Sequence, residues 1–230
     1  MSTDALIVFA KPPTPGRVKT RLTPVLSEEA AAALYAAFLK DALLQYVPLM
    51  ADVRLYLGDA APAVEAWAQE QTGADVHHQH GPDLGKRMAR AFVESFAAGY
   101  ERLVVIGTDH PTLPTPFIAQ AFERLDTPRA ITLGPSTDGG YYLLGMNDYF
   151  PELFHEMTYS HGEVFNETLA RAHDAGAQVT ILPSWYDVDE PADLQRLRED
   201  LASQPPAVAP HTRAQLEALS FPEPKSHDAA

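Results

Sequence analysis

Ala5-Leu6-Ile7-Val8-Phe9-Ala10, followed by Lys11-Pro12-Pro13-Thr14-Pro15-Gly16-Arg17-Val18-Lys19-Thr20-Arg21, decides how the rest of the chain is read. A strand covered on both faces has no reason to alternate polar with apolar residues. An unbroken apolar run that ends in a Pro/Gly loop therefore reads as a buried parallel strand. The run has six residues, too few for a membrane-spanning helix or the apolar core of a signal peptide. Beyond the loop Ser27 offers an N-cap, with Glu28 and Glu29 in the first turn where the helix dipole favours anions. Ala31, Leu34, Tyr35, Phe38, Leu39, Ala42, Leu43 and Tyr46 then recur at helical spacing, which predicts a helix with one buried stripe.

The same alternation runs on. Strands are expected at Val53 to Leu57, Ala74 to His78, Leu103 to Ile106, Ala130 to Leu133, Tyr141 to Leu144 and Val179 to Leu182. Helices are expected at Ala61 to Gln71, Leu84 to Ala98 with Asp83 as cap, Pro116 to Leu125, Val164 to Ala175, and from Asp189 and Pro191 onward. Strands separated by helices predict an α/β sandwich around a mostly parallel sheet, with helices on both faces. One domain over residues 1–202 is expected. Residues 203–230 carry Pro205, Pro206, Pro210, Pro222 and Pro224 and few large apolar residues, which predicts a poorly ordered tail with one or two helical turns at Arg213 to Leu219.

Composition narrows the function. The 230 residues include 17 Lys and Arg against 31 Asp and Glu, a net charge of −14, so non-specific binding to nucleic acid or anionic membrane is disfavoured. The absence of cysteine excludes disulfides, thiolate catalysis and cysteine-ligated metal centres. A soluble, cytoplasmic protein is the expectation.

Against that acidic background, four of the 17 cations fall within the 11 residues from Lys11 to Arg21. Open α/β sheets bind ligands outside the carboxyl ends of their strands, so this loop reads as an anion site. Lysine supplies a point charge for phosphate and arginine a bidentate fork, while Gly16 permits a turn. The loop lacks the Gly-x-x-x-x-Gly-Lys frame of a P-loop. Asp109, just past Leu103 to Ile106, falls on the ligand side of the sheet, where a carboxylate facing a phosphate loop holds Mg²⁺ or Mn²⁺; an aspartate in a turn is the alternative. Asp138-Gly139-Gly140 is either an ordinary turn or a close approach to a sugar, with Asp138 accepting hydroxyl hydrogen bonds. Alternation places Asp187 and Asp189 on one face of an extended segment, although Asp189 also suits an N-cap. His77, His78 and His80 read as surface residues rather than metal ligands, and Trp67, Trp185, Tyr35 and Tyr46 as packing aromatics.

Taken in order, Lys11-x-Pro13-x-x-Gly16-x-Val18-Lys19-Thr20-Arg21-Leu22, Gly81-x-Asp83-Leu84-Gly85-x-Arg87-Met88, Gly107-Thr108-Asp109-x-Pro111, Gly134-Pro135-x-x-Asp138-Gly139-Gly140-Tyr141-Tyr142-Leu143 and Asp187-Val188-Asp189-x-Pro191-x-Asp193-Leu194 resemble a bacterial family of nucleotide-diphospho-sugar transferase-like proteins, predicted glycosyltransferases long filed as a domain of unknown function. The chain is similar also to the molybdopterin and phospholactate guanylyltransferases. The resemblance implies a single Rossmann-like domain of glycosyltransferase-A type. It implies nucleotide-phosphate binding by Lys11, Gly16, Arg17, Lys19 and Arg21, with Asp83 and Arg87 from the second motif. Metal binding falls to Asp109, Asp187 and Asp189, sugar or acceptor binding to Asp138, Gly139 and Gly140, and catalysis to Asp109 and Asp138. Two departures stand out: Pro111 removes an Asp-x-Asp pair at the central strand, and Tyr159-Ser160-His161 replaces an expected Trp-Ser-Thr.

Two activities are implied, with a nucleotide or nucleotide sugar and a small-molecule acceptor as partners. One is metal-dependent glycosyl transfer from a nucleotide-diphosphate sugar. The other is nucleotidyl transfer from an NTP with release of pyrophosphate, to which four loop cations are well suited. A nucleotide-binding module without catalysis is the non-enzymatic alternative.

Overall fold

The first strand, β1 (Asp4–Ala10), lies in the middle of a seven-stranded sheet. In the computed structural model, which describes residues 2–159 and 161–219, the other strands are β2 (Asp52–Leu57), β3 (Asp75–His78), β4 (Arg102–Ile106), β5 (Ala130–Pro135), β6 (Tyr141–Met146) and β7 (Gln178–Ile181). Their order is β3-β2-β1-β4-β6-β5-β7. Only β6 runs antiparallel to its neighbours, β4 and β5. The cause is local. Residues 136–140 form a tight turn, closed by the Ser136 N–H on the Gly140 carbonyl at 3.0 Å, and so short a connection can only reverse the chain, whereas a parallel pairing needs a crossover.

The helices are α1 (Glu28–Tyr46), α2 (Pro62–Thr72), α3 (Leu84–Ala97), α4 (Thr115–Glu123), α5 (Val164–Asp174), α6 (Pro191–Ser203) and α7 (Pro210–Ala218). Successive residues of β1 serve opposite layers. Leu6, Val8 and Ala10 pack with Leu39 and Leu43 of α1, Ala68 of α2 and Ile118 of α4, while Ala5 and Ile7 pack with Met88 and Phe92 of α3 and Ala172 of α5. Helices therefore cover both faces, as the alternation predicts. From β1 the chain turns to β2 on one side, and β4 arrives on the other. The loops beyond β1 and β4 thus diverge and leave a crevice at the carboxyl ends of the two strands.

The carboxy-terminal segment departs from expectation. The one or two turns expected at Arg213 to Leu219 are a longer helix, α7, which begins at Pro210 and packs on α1; residues 220–230 lie outside the described residues. The device is Asp41, buried in the middle of α1. Its carboxylate accepts the backbone N–H groups of His211 at 3.0 Å and Thr212 at 2.7 Å, satisfying the free donors at the start of α7. In consequence α1 is buried on two flanks rather than one stripe. Leu39 and Leu43 face the sheet, and Leu34 and Phe38 join Val18, Leu22, Val188, Leu197 of α6 and Leu216 of α7 in a third apolar cluster. Asp189 is not the cap of α6: Glu190 holds that position, and Asp193 accepts the Glu190 N–H at 2.8 Å.

Candidate functional site

A cavity of about 830 Å³ opens at the crevice between β1 and β4. Its walls bring together Lys11, Lys19 and Arg21 from the first loop, Arg87 from α3, Asp109 beyond β4, Asp138 and Gly140 from the β5–β6 turn, and Asp187 and Asp189 before α6. Five stretches far apart in sequence therefore share one space.

The first loop is held from below. Tyr35 of α1 accepts the Lys11 backbone N–H at 3.0 Å and shares a 3.0 Å hydrogen bond with the Thr108 hydroxyl, so β1 and β4 are tied at their carboxyl ends through one phenol. Burial pushes that phenol up to about 12, which keeps it protonated. Val18 and Leu22 anchor the loop in the third apolar cluster. Between them Lys19 adopts the left-handed conformation, at φ 48° and ψ 36°, a strained region for a residue with a Cβ. Its Nζ lies over the rings of Tyr35 and Phe38, 5.9 and 5.8 Å from their centres.

Lys19 Nζ ends against Asp109 Oδ1 and, at 2.9 Å, Asp189 Oδ1. Only 3% of the lysine side chain is exposed, whereas 42% of Asp109 and 40% of Asp189 remain open. Burial opposes the ammonium's charge, but the two carboxylates outweigh it and hold the Lys19 pKa above its ordinary value. Burial likewise works against Asp109's charge, and Lys19 overcomes this and keeps the carboxyl below the usual range. The Asp189 loop reaches this point because Val188 donates its N–H to the Asp109 carbonyl at 2.8 Å. Asp187 completes the group. It accepts from the Ser136 hydroxyl at 2.7 Å, and burial, reinforced by the charges of Asp109 and Asp189, pushes its pKa up to about 7.

The resemblance implies Mg²⁺ or Mn²⁺ at this donor set. All the groups are carboxylate oxygens, the hard donors such ions take, and a cation, the Lys19 ammonium, already lies between two of them. The chemistry fits. Yet among the described residues no three His, Asp or Glu side chains form a ready cage, and the Lys19 ammonium lies against both Asp109 and Asp189. Where Pro111 leaves no Asp-x-Asp pair, the carboxylate that stands with Asp109 against Lys19 is Asp189, from a distant loop.

Several residues proposed for the ligand lie elsewhere. Arg17 turns outward toward Asp59 at 3.9 Å, with 74% of its side chain exposed. Gly16, at φ +71°, has its open side filled by the Glu28 carboxylate. Asp83 caps α3 by accepting the Lys86 N–H at 2.7 Å and does not line the cavity. Gly139 also faces protein: a Cβ there would stand 2.0 Å from the Gly162 carbonyl oxygen, so the close approach it permits is by the chain's own backbone. Arg21 lines the cavity and pairs with Glu190, and Arg87 donates its Nε–H to the Gly81 carbonyl at 3.0 Å. Asp138 accepts the Gly140 N–H at 2.9 Å through Oδ1. The histidines at the end of β3 stay away from the cavity, His77 paired with Asp75 at 2.7 Å and His78 3.9 Å from Glu65, acidic neighbours that the sequence alone did not place there.

Residues not singled out in the sequence also line the cavity. Tyr35, a packing aromatic by its sequence, also ties β1 to β4 through its hydroxyl once α1 docks on the sheet. Gln79 donates to the Ala10 and Tyr56 carbonyls at 3.1 and 2.9 Å and fixes the rim beyond β1. His110 is buried, edge-on to Tyr142, and burial pushes its pKa down to about 4, so the ring is neutral. Phe9, Met88, Tyr141 and Tyr159 give the α3 side an apolar wall.

Comparison with known proteins places this arrangement. No curated protein sequence matches the chain. The DUF2064 family, described as an uncharacterized protein conserved in bacteria, matches residues 45–161. The crystal structure of an inferred nucleotide-diphospho-sugar transferase from Desulfovibrio desulfuricans G20 is similar at 32% identity, with 95% of each chain covered and a TM-score of 0.87. A cytidylyltransferase from Leptospira borgpetersenii serovar Hardjo-bovis shares the fold at 10% identity, 95% coverage of each chain and a TM-score of 0.58. So does the inositol-1-phosphate CTP transferase of T. maritima, at 14% identity, 95% and 98% coverage and a TM-score of 0.54. The fold is the Rossmann-like, glycosyltransferase-A type shared by nucleotide-using transferases, and the chain belongs to the DUF2064 family.

Proposed function

We propose that the protein is a metal-dependent glycosyltransferase that takes a nucleotide-diphosphate sugar as donor and passes the sugar to a small-molecule acceptor. The carrying observation is the disposition of the cations. Of the four in the first loop, Arg17 points away from the cavity and Lys19 is committed to Asp109 and Asp189. Lys11 and Arg21, with Arg87 across the cavity, remain on its walls. Lys11, Arg87 and Arg21, the last shared with Glu190, are enough to face the two phosphates of a nucleotide-diphosphate sugar.

In this reading Lys11, Arg21 and Arg87 bind the diphosphate. Positive groups placed where charge builds up on the departing phosphate stabilise the transition state more than the ground state. Asp109 and Asp189 would hold Mg²⁺ or Mn²⁺, which supplies further neutralisation of that charge. Asp138 has Oδ1 bonded to its own loop, leaving Oδ2 to accept the proton of the acceptor hydroxyl. The acceptor oxygen bonds to the anomeric carbon, the carbon–oxygen bond to phosphate breaks, and the nucleoside diphosphate leaves. Asp187, whose pKa lies at about 7, keeps its hydrogen bond with Ser136 and lines the same cavity as Asp109 and Asp189.

The test is a panel of nucleotide sugars and NTPs with Mn²⁺ and a mixture of small hydroxylic and phosphorylated acceptors. Release of free nucleoside diphosphate is expected. Pyrophosphate release from an NTP would replace this reading with nucleotidyl transfer, and the absence of both products would leave only a binding module.

A further inference from the structure

Lys19 and its two carboxylates differ in one respect from an ordinary buried ion pair. The lysine is sealed in protein at 3% exposure, while Asp109 and Asp189 keep about two fifths of their side chains open to the cavity. An exposed pair attracts weakly and a fully buried pair loses hydration that its attraction need not offset, and this pair is neither, being buried at the cation and open at both carboxylates. Here the cation sits at the back and the anions face forward. The ammonium engages Oδ1 of both aspartates, so any cation that bridges these two oxygens from the cavity side must take its place.

We propose that Lys19 is an internal counter-cation that competes with a divalent metal ion for the Asp109–Asp189 pair. The free protein is thereby kept in a low-affinity state for metal. The second half of the proposal rests on the nucleotide reading above: a phosphate bound beside Lys11 and Arg21 offers the released ammonium a new anionic partner, so metal and nucleotide enter together. Two ligands that both favour the same displaced state of one side chain strengthen each other's binding reciprocally. The approach is short, since Lys19 and Lys11 line the same cavity. The left-handed backbone at Lys19 directs the side chain to its place behind the carboxylates.

The test uses the full chain and Mn²⁺ alone, so it does not depend on the donor or the reaction. Mn²⁺ affinity is measured by titration calorimetry for the wild type, Lys19→Met and Lys11→Met. Both substitutions remove one positive charge near Asp109, and only Lys19 occupies the oxygens. Lys19→Met is expected to bind Mn²⁺ about tenfold more tightly than the wild type, and Lys11→Met markedly less so. The same competition is read in the wild type without any substitution: acylation of Lys19, followed by mass spectrometry, should be slow in EDTA and faster at saturating Mn²⁺. Equal gains in the two variants, or a Lys19 that stays unreactive under saturating Mn²⁺, would overturn the proposal. Should Lys19→Met fail to fold, the acylation measurement decides alone. Failure here with nucleoside diphosphate still released in the donor panel removes the counter-cation and leaves the transferase; the converse removes the transferase and leaves the metal competition.

Discussion

Tyr159 packs against Gly85 so closely that a Cβ on the glycine would stand 2.6 Å from the tyrosine Cε2. The contact joins the connection between β6 and α5 to the first turn of α3, across one end of the cavity. Gly85→Ala is therefore expected to displace Tyr159 and destabilise the protein by about 1–3 kcal/mol, the usual cost of overpacking. Tyr159→Ala in the same chain should relieve the clash, giving a coupling of roughly 1 kcal/mol or more between the two sites. Chemical denaturation of both single variants and the double variant checks this. Strictly additive losses would mean that the two residues do not press on each other.

Lys11 and Arg17 belong to the same basic loop but should behave differently. Lys11 lines the cavity, and its charge helps to keep Asp109 ionised. Arg17 makes only a surface pair with Asp59, and such pairs are worth little. Lys11→Ala is expected to weaken nucleoside diphosphate binding about tenfold, in line with the loss of a charge-assisted phosphate contact. Arg17→Ala should change affinity by less than about twofold. Calorimetry on both variants measures the contrast, and equal losses would show that the loop binds phosphate as a diffuse basic patch.

Asp187 makes stability depend on pH in the sense opposite to an ordinary paired carboxylate. Its pKa is raised from 3.8 to about 7 in the folded protein. The folded state thus holds the proton more tightly than the unfolded state, and ionisation weakens the fold. The contribution is fully present below pH 4 and is lost as pH rises through 7. In EDTA, Asp187→Asn should be more stable than the wild type at pH 8, by up to about 4 kcal/mol at one pKa unit per 1.4 kcal/mol. The asparagine oxygen can still accept the Ser136 hydrogen bond. The advantage should shrink at pH 5. Melting temperatures of both proteins at the two pH values test it, and a difference that does not grow with pH would refute the raised pKa.

Most of the framework was legible because it rests on local patterns. Unbroken apolar runs marked β1 and β4, and Ser27 and Asp83 marked the starts of α1 and α3, all of which the structure reproduces. The placement of Asp109, Asp187 and Asp189 around one cavity was legible from the rule that ligand groups follow the carboxyl ends of strands. What escaped was long-range. Nothing in the spacing of the first loop shows that Lys19 turns inward and Arg17 outward; the left-handed turn at Lys19 and the burial of Val18 and Leu22 decide it. His78, at the end of β3, meets Glu65 of α2 only once strand and helix are placed. Nor could Gly139 be told from a ligand-facing glycine until Gly162 was found against it.

The docking of α7, longer than the one or two turns expected at Arg213 to Leu219, yields the last prediction. Proline punctuation made residues after 203 look like a tail, but a carboxylate in the apolar middle of α1 was a signal that something polar must cover it. Asp41 receives three donors from the start of α7: the His211 and Thr212 N–H groups and the His211 ring at 2.8 Å. Removing it leaves those backbone donors unpartnered and loosens Leu216 from its cluster with Leu34 and Phe38. Asp41→Ala is expected to cost about 2–4 kcal/mol, from the loss of a helix cap and of hydrogen bonds to a charged acceptor. Asp41→Asn should lose less, because its amide oxygen can still accept one of the two N–H groups. Hydrogen exchange locates the effect: amides of 211–218 should exchange faster in Asp41→Ala while those of β1 and β4 keep their protection. Unchanged exchange over 211–218 would show that α7 is held by its apolar contacts alone.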